Sequence, residues 1–529
     1  EEPQEMTVPA AVKRTSGAAA NFLWDNSSYI LGVSLKKGED DAEREKQRNK
    51  DIKCFEACRE LHHSMLDGME YPAAKAVLNF LDKWEPQKAE ENNLVAQYAK
   101  EILSGANMVF RFNGGYVHDD PQLASVWQKA NAKQKDNIGQ CLVTGALDEI
   151  QKTHPTIKGV QGAQSSGAAL VSFNASAFCS YNKEQNQNAP VGKYAAFAYT
   201  TALNHLLADR KNVHRIGDAA VVCWAENADK QYEDFAAEVF FGDNVDKSDE
   251  QRLSALRTSL KLLADGIPCK EMDLDPDRKF YILGLSPNAA RLAVRFFYCD
   301  SFGKIAGNIY KHHERLEIVR PSYDKFPILP LWKLLSETVN PNAKDKTPNA
   351  AMAGAVARAV FSGGRYPASL LECTFLRIKA ERSITRERAA IIKAYYLRNP
   401  NEKCPKEVLT VSLNENSKNI PYTLGRLFSV YEEIQQAANP GINTTIKDRY
   451  FGSAAAMPAT VFPILSNLAQ KHLRKLSDAQ RVYLDKKVMT LKSVLGEQYP
   501  AHMSLPEQGS FDLGYYHQTQ ARYTKKEDK

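Results

Sequence analysis

No uninterrupted apolar run of about eighteen residues occurs in this 529-residue chain, so no segment has the composition of a membrane-crossing helix. Cysteine is sparse. Nine residues, an odd number, lie scattered from Cys54 to Cys404 without paired spacing, which argues against a disulfide framework and for reduced thiols in a cytoplasmic compartment. An excess of one charge is missing as well: 69 Lys+Arg against 63 Asp+Glu leave +6, too little to mark a nucleic-acid binder, so local clusters must carry that argument. The chain opens Glu1-Glu-Pro-Gln with neither an initiator Met nor a basic region leading into an apolar one. No signal peptide is read there, and the expectation is a start inside a longer gene product.

Catalytic and metal-binding signatures are also lacking. Gly192-Lys193 has Gln187 where a phosphate loop needs its first glycine. Asp273, Asp275 and Asp277 alternate as in a calcium loop, but Arg278 replaces the obligatory glycine and Gly284 the bidentate glutamate. Cys54, Cys58 and His62 recur every fourth residue on one predicted helix, yet eight residues of helix rise about 12 Å, too far for both ends to ligate one zinc. His118-Asp-Asp120 and His312-His313 have no matching partners nearby. No enzyme, metal or cofactor is expected.

At this length two or three domains are the natural prior, with 43% hydrophobic and 25% charged residues supporting a large core. Tyr29–Ser34, Met108–Phe112, Gln140–Thr144, Leu170–Phe173 and Ala219–Trp224 read as strands. Ala42–Leu66, Tyr71–Trp84, Asn93–Leu103, Tyr194–Asp209, Lys230–Phe240 and Asp249–Asp265 read as helices, with Tyr194–Asp209 apolar on most sides and buried. Lys279–Leu285 and Arg291–Tyr298 flank Ser286-Pro-Asn-Ala-Ala290 as a hairpin, a helix from Pro287 being the competing reading. In the hairpin Leu292, Val294, Phe296 and Tyr298 share one face, Arg291 and Arg295 the other.

Beyond Phe302 the pattern is helical: Ile305–Leu316, Leu329–Glu337, Ala350–Phe361, Pro367–Lys379 and Thr385–Arg398. Asn399-Pro-Asn-Glu-Lys-Cys-Pro405 is the clearest linker. After it come three stripes, Leu424/Leu427/Tyr431/Ile434, Ile464/Leu465/Leu468/Leu476 and Leu484/Val488/Leu491/Leu495, and a fourth helix over Phe511–Tyr523. Lys525–Lys529 reads as a solvated tail. The expected class is α+β: a mixed α/β region over 1–300, a helical connecting region over 301–400, and a C-terminal four-helix bundle over 406–529.

The most distinctive stretch is polar and punctuated by glycine: Ile157-Lys-Gly-Val-Gln-Gly-Ala-Gln-Ser-Ser-Gly-Ala-Ala-Leu-Val-Ser-Phe-Asn174, continuing through Cys179-Ser-Tyr-Asn-Lys-Glu-Gln-Asn-Gln-Asn-Ala-Pro190. Gly159, Gly162 and Gly167 suit backbone conformations that other residues avoid. Together with Lys13-Arg-Thr-Ser-Gly17, Phe22-Leu-Trp-Asp-Asn26 and Gly514-Tyr-Tyr-His517, it resembles the large subunit of the type I-C CRISPR interference complex (Cascade), over almost the whole chain. In that family a further N-terminal stretch precedes the Lys13–Gly17 motif.

Four clusters are candidate contacts, each with a plainer alternative. Asn182, Lys183, Gln185, Asn186 and Asn188, with Lys193, suit a loop reading base edges and phosphates of duplex DNA, or a surface loop. Lys13, Arg14 and Asn26 form a second polar basic patch that suits motif DNA, the guide's 5′ end, a neighbouring subunit or a structural turn. Arg377, Arg382, Arg386 and Arg388, with Lys379, Lys393 and Arg398, suit a stripe facing guide RNA or a partner, or a solvated face shared with Glu381 and Glu387. Lys471, Arg474 and Lys475 lie on one helical face by spacing. With Lys447, Arg449, Lys486 and Lys487 they suit the displaced single strand, since the resemblance implies a bundle beside it.

The resemblance further implies a non-catalytic subunit that recognises the protospacer-adjacent motif, stabilises the opened duplex and recruits a separate helicase-nuclease. The implied partners are guide RNA, target double-stranded DNA, repeated backbone subunits, a guide-processing subunit, and separate small-subunit copies of the bundle made by internal initiation near Val408. The rival readings are a protein-only scaffold and a nuclease or nucleotide-dependent remodeller.

Overall fold

The structure is a computed structural model that describes residues 6–12, 14, 17–34, 41–132, 137–227, 229–242, 250–324, 328–496 and 498–523. It is 54% helical and 11% strand, with small sheets, which makes it an α+β fold. Among the described residues no helix is long and apolar enough to cross a membrane. The chain forms two compact units, Glu1–Gln140 with Ala146–Ile150, and Cys141–Gly145 with Gln151–Lys529.

In the first unit a short antiparallel pair, β1 (Trp24–Asn26) on β2 (Asn107–Val109), accompanies α1 (Asp41–Leu66), α2 (Pro72–Lys83) and α3 (Pro121–Ala132). Tyr29–Ser34 is not the expected strand. The Asn26 side chain accepts the Ser28 N–H, starts a helical turn at Ser27–Ile30, and leaves only residues 24–26 extended. The Asn93–Leu103 helix is two pieces, broken at Tyr98, whose ψ of 28° is not helical. Phe22, Leu23, Cys58, His62, Leu66 and Leu81 are the fully buried centre. His62 belongs to this core rather than to a metal site: its Nε2 accepts the Leu23 N–H at 3.0 Å and its Nδ1–H donates to the Cys58 carbonyl at 2.7 Å.

The second unit is organised on an antiparallel sheet of order β6-β5-β4-β3, from β3 (His214–Ile216), β4 (Ala219–Ala225), β5 (Lys279–Asn288) and β6 (Arg291–Ser301). Phe280, Ile282 and Phe296 face the main helical core. Leu283, Leu285 and Leu292 face Leu203 and Leu207 of α4 (Lys193–Ala208). The hairpin reading of residues 279–301 holds, but Leu292, Val294 and Phe296 do not share a face. A bulge between Val294 and Phe296 reverses the alternation, so Phe296 turns into the core opposite to Leu292. Residues 170–173 form no strand, because only isolated bridges at Ala168 and Ala169 pair there. Helix α4 is half-buried rather than buried all round, with Tyr194 and Phe197 exposed.

Helices follow as expected: α5 (Lys230–Ala236), α6 (Glu250–Ala264), α7 (Phe302–Leu316), α8 (Leu331–Ser336), α9 (Ala350–Ser362), α10 (Ala368–Glu381) and α11 (Arg386–Arg398). Among the described residues the C-terminal region holds five α-helices rather than four, α12 (Ile420–Ala438), α13 (Ile446–Ala456), α14 (Pro458–Leu473), α15 (Asp478–Leu495) and α16 (Leu505–Gln520). Leu424, Leu427, Tyr431, Ile434, Leu484, Val488, Leu491 and Leu495 are buried along their predicted stripes, whereas Ile464 is exposed. The Lys525–Lys529 tail lies outside the described residues.

One hydrophobic cluster runs from Ile216 to Tyr516. The expected divisions near residues 300 and 400 therefore fall inside a shared core, and Asn399–Pro405 is a turn closed by an Asn401–Cys404 bridge. Helices α12 and α16 cross with almost no side chain between them. A Cβ on Gly425 would collide with the Phe511 carbonyl, and one on Gly514 with the Tyr422 carbonyl. Two glycines let the backbones meet, and neighbouring hydroxyls lock the crossing: Tyr422 Oη to His517 Nδ1 at 2.9 Å and Tyr515 Oη to Glu432 at 2.6 Å.

Candidate nucleic-acid interface

The Asn182–Asn188 loop carries its own scaffold. Asn188 Oδ1 accepts the Ser180 N–H at 2.9 Å, and its Nδ2 donates to the carbonyls of Lys183 at 2.9 Å and Gln185 at 3.0 Å. Glu184 and Gln187 cap the turn Gln185–Asn188 reciprocally. These bonds hold Tyr181, Asn182 and Gln185 at φ of 53°, 56° and 42°, left-handed values costing roughly 1–2 kcal/mol each for non-glycine residues. Asn182, Lys183 and Gln185 are exposed, while Asn186 and Asn188 are partly covered. The amide run thus divides: Asn188 builds the loop, and Asn182, Lys183 and Gln185 face solvent.

Both edges of this segment are anchored. Arg291 of β6 bonds Asn174 and stacks its guanidinium 3.9 Å from the Phe178 ring centre. At the other edge Leu142 N–H donates to the Pro190 carbonyl at 2.9 Å, and Gln151 N–H to the Val191 carbonyl at 2.9 Å. Lys193 follows as the exposed first residue of α4. Upstream, Gly159, Gly162 and Gly167 have φ of 88°, 84° and 101°, as the glycine spacing predicts. Any Cβ at Gly167 would meet Thr156 Oγ1 at 2.7 Å.

In the N-terminal basic patch Arg14 is exposed yet tied into the fold. Arg14 pairs with Asp25, which is 1% exposed, donates from Nε to the Ala19 carbonyl at 2.7 Å, and lies 3.9 Å from the Tyr29 ring centre. Its guanidinium is thus committed to the fold, as is Asn26 in capping the next turn. Lys13 lies outside the described residues. Sequence reading passed over Asp25, the buried acceptor that organises this patch through Arg14 and the Asn21 N–H.

The expected stripe over Arg377–Arg398 is not a stripe. Arg386 reaches Asp324 at 3.0 Å, and Arg388 reaches Glu337 at 2.7 Å as well as Glu381. Arg377 lies 3.6 Å from Glu381, and Glu387 pairs with Lys333. Lys393 is buried and caps the end of α7, donating to the Arg315 carbonyl at 3.0 Å, and burial lowers its pKa to about 8. Arg382 alone of the four named arginines is exposed. Asp324 and Glu337 from two other segments, with Glu381 of α10 itself, neutralise the other three, because a buried cation without a partner would cost several kcal/mol.

The bundle cations fare differently. Lys471, Arg474 and Lys475 are all exposed, although α14 ends at Leu473, so Arg474 is its cap and Lys475 lies beyond. Three cations at a helix C-terminus complement its dipole. His472 Nδ1 lies 3.3 Å from Asn439 Nδ2, Lys475 Nζ lies 3.5 Å from Asn439 Oδ1, and Ile446 N–H donates to Gln435 Oε1 at 2.7 Å. The ends of α12 and α14 and the start of α13 therefore meet, bringing Lys447 to the same end of the bundle as Lys471 and Lys475. Arg449 and Lys486 are exposed, but Lys487 is drawn to Glu433 at 3.4 Å.

The family model described as CRISPR-associated protein (Cas_Csd1) matches residues 1–523. The chain belongs to that family. The match takes in every element of the Cas_Csd1 chain described above, including the Asn182–Asn188 loop and all five C-terminal helices. No curated protein matches this Cas_Csd1 chain. Among the described residues no group of three His, Cys, Asp or Glu side chains is placed to hold one metal ion.

Proposed function

We propose that this chain is the non-catalytic large subunit of a type I-C RNA-guided DNA surveillance complex. It recognises the protospacer-adjacent motif, stabilises the opened duplex and recruits a helicase-nuclease for antiviral defence. Family membership over residues 1–523 is the observation that carries the reading. Two surfaces supply its chemistry. The pre-shaped loop offers Asn182, Lys183 and Gln185 to a short duplex motif, a division of labour in which protein reads the motif and guide RNA reads the sequence. The end of the bundle offers Lys447, Lys471, Arg474 and Lys475 to the phosphates of the displaced strand. Guide RNA, repeated backbone subunits, a guide-processing subunit and separate copies of the bundle complete the proposed assembly.

The test is reconstitution of the guide-bound complex, with duplex affinity measured for matched and scrambled adjacent motifs. Replacing Asn182–Gln187 by Gly/Ser while keeping Asn188 is expected to abolish motif discrimination and leave guide assembly intact. Undiminished discrimination assigns motif reading elsewhere. A complex whose DNA affinity ignores both this loop and the bundle cations favours the protein-only scaffold, to which the internal neutralisation of Arg386 and Arg388 lends some support.

A further inference from the structure

The recognition loop also holds an exposed side chain that is neither an amide nor a lysine. Tyr181 is 95% exposed and is held at φ 53°, a conformation a bulky residue adopts only where its surroundings impose it. What imposes it is visible: Asn188 ties the residues on both sides of Tyr181 through Ser180 N–H and the Lys183 carbonyl. The backbone is thus set to hold a phenol ring out in solvent. Three residues before it Phe178 is 45% exposed beneath the Arg291 guanidinium, and two residues after it Lys183 is exposed.

Over residues 174–193 the chain carries Lys183 and Lys193 against a single carboxylate, Glu184, and Arg291 reaches the same segment at Asn174 and Phe178. An open aromatic face among cations is the chemistry that holds an unpaired base, stacking on its π-face while the cations reach the adjoining phosphates. A protein partner would instead call for apolar surface continuous with the ring, whereas Ser180, Asn182 and Lys183 flank it.

We infer that Tyr181 stacks on one unpaired nucleobase of a single-stranded segment and that Asn188 is the residue that positions it. The inference rests on the reading of this chain as a DNA-contacting subunit and adds to it a stacking site distinct from the amide readers. The experiment uses the full chain and a DNA duplex ending in a short unpaired fork that carries 2-aminopurine, compared with the blunt duplex. Tyr181→Ala is expected to weaken fork binding by about 5- to 150-fold, to abolish quenching of the 2-aminopurine, and to leave the salt dependence unchanged, since a neutral ring neutralises no phosphate. Tyr181→Phe keeps the ring and is expected to match wild type. Asn188→Ala is expected to follow Tyr181→Ala in fork binding with the unfolding midpoint of the chain unmoved.

Three results overturn the inference alone: wild type binding the fork while Tyr181→Ala binds and quenches equally well, Tyr181→Phe failing as badly as Tyr181→Ala, or weaker Tyr181→Ala binding accompanied by a shallower salt slope. A wild-type chain that binds neither probe overturns the DNA-contacting reading together with it.

Discussion

His517 sits between α12 and α16, fully buried, and burial holds its imidazole down at about 3. His312, bonded to Tyr366 at 2.6 Å, and His62 are likewise held below the ordinary histidine value by burial. These rings stay neutral in the folded chain while the unfolded chain takes up protons below about pH 6.5. The unfolded state then binds more protons, so stability is fully present above that pH and falls as pH drops toward the lowered folded values, by about 1.4 kcal/mol per pH unit for each ring. His63 has the opposite sign. Asp82 and Asp67, each 2.9 Å away, raise its pKa, so its contribution is present below the unfolded value and is lost as pH rises through the folded one. Urea unfolding between pH 7.5 and 5 is expected to show a net loss toward acid, and His517→Gln to remove one ring's share of the slope. A flat profile contradicts the assignment. Arg388, 3% exposed between Glu337 and Glu381, supplies a second prediction. Its replacement by Ala takes the counter-charge from the partly buried Glu337, leaves Glu381 with Arg377 at 3.6 Å, and is expected to cost about 3 kcal/mol. The exposed Arg382→Ala is expected to change stability by less than about 0.5 kcal/mol. Were both arginines instead nucleic-acid contacts on the surface, denaturation would show no such contrast.

Among the elements, the α12–α16 pair is the least tolerant of change. The Gly514-Tyr-Tyr-His517 motif that contributed to the family resemblance is explained by packing. Gly514 meets the Tyr422 backbone, Tyr515 bonds Glu432, Tyr516 Oη donates to the Val319 carbonyl at 2.7 Å, and His517 bonds Tyr422. Because the obstacle at Gly514 is backbone rather than a movable side chain, Gly514→Ala must separate the two helices. An expected loss of about 3 kcal/mol or more is measurable by thermal or chemical denaturation. Gly441→Ala, where a Cβ would meet nothing within 4 Å, is the control for a bundle glycine. Its left-handed φ of 80° limits the expected cost to about 1 kcal/mol of backbone strain.

At the scale of the whole molecule, DNA contact by the end of the bundle is a question of electrostatics and is answered by salt. Charge reversal at Lys471, Arg474 and Lys475 together is expected to lower single-strand affinity of the assembled complex and to flatten the log–log salt dependence by about 0.7 for each phosphate that is no longer neutralised. Unchanged affinity would leave these cations as solvated helix-end residues. Which cations remain available is itself a product of the fold. Arg386 and its partner Asp324 are 62 residues apart, and the sequence around Arg386 shows basic residues outnumbering Glu381 and Glu387, so a charge cluster reads as a surface when part of its counter-ions lies elsewhere in the chain. Tyr181 escaped notice for a related reason: an aromatic residue inside a polar run carries no periodicity, and its exposure depends on Asn188 folding the loop back.

By itself the sequence determined the α+β class, most helix spans beyond residue 300, the β5–β6 hairpin, the left-handed glycines and the family resemblance, because apolar spacing and turn chemistry act over a few residues. Tertiary structure alone decided that Arg386 and Arg388 are buried in ion pairs, that a bulge turns Phe296 inward, that Asn399–Pro405 is a surface turn joining two parts of one shared core, and that α12 and α16 meet at glycine. Those outcomes depend on which distant segments come into contact, and desolvation sets their energy only once the segments have met.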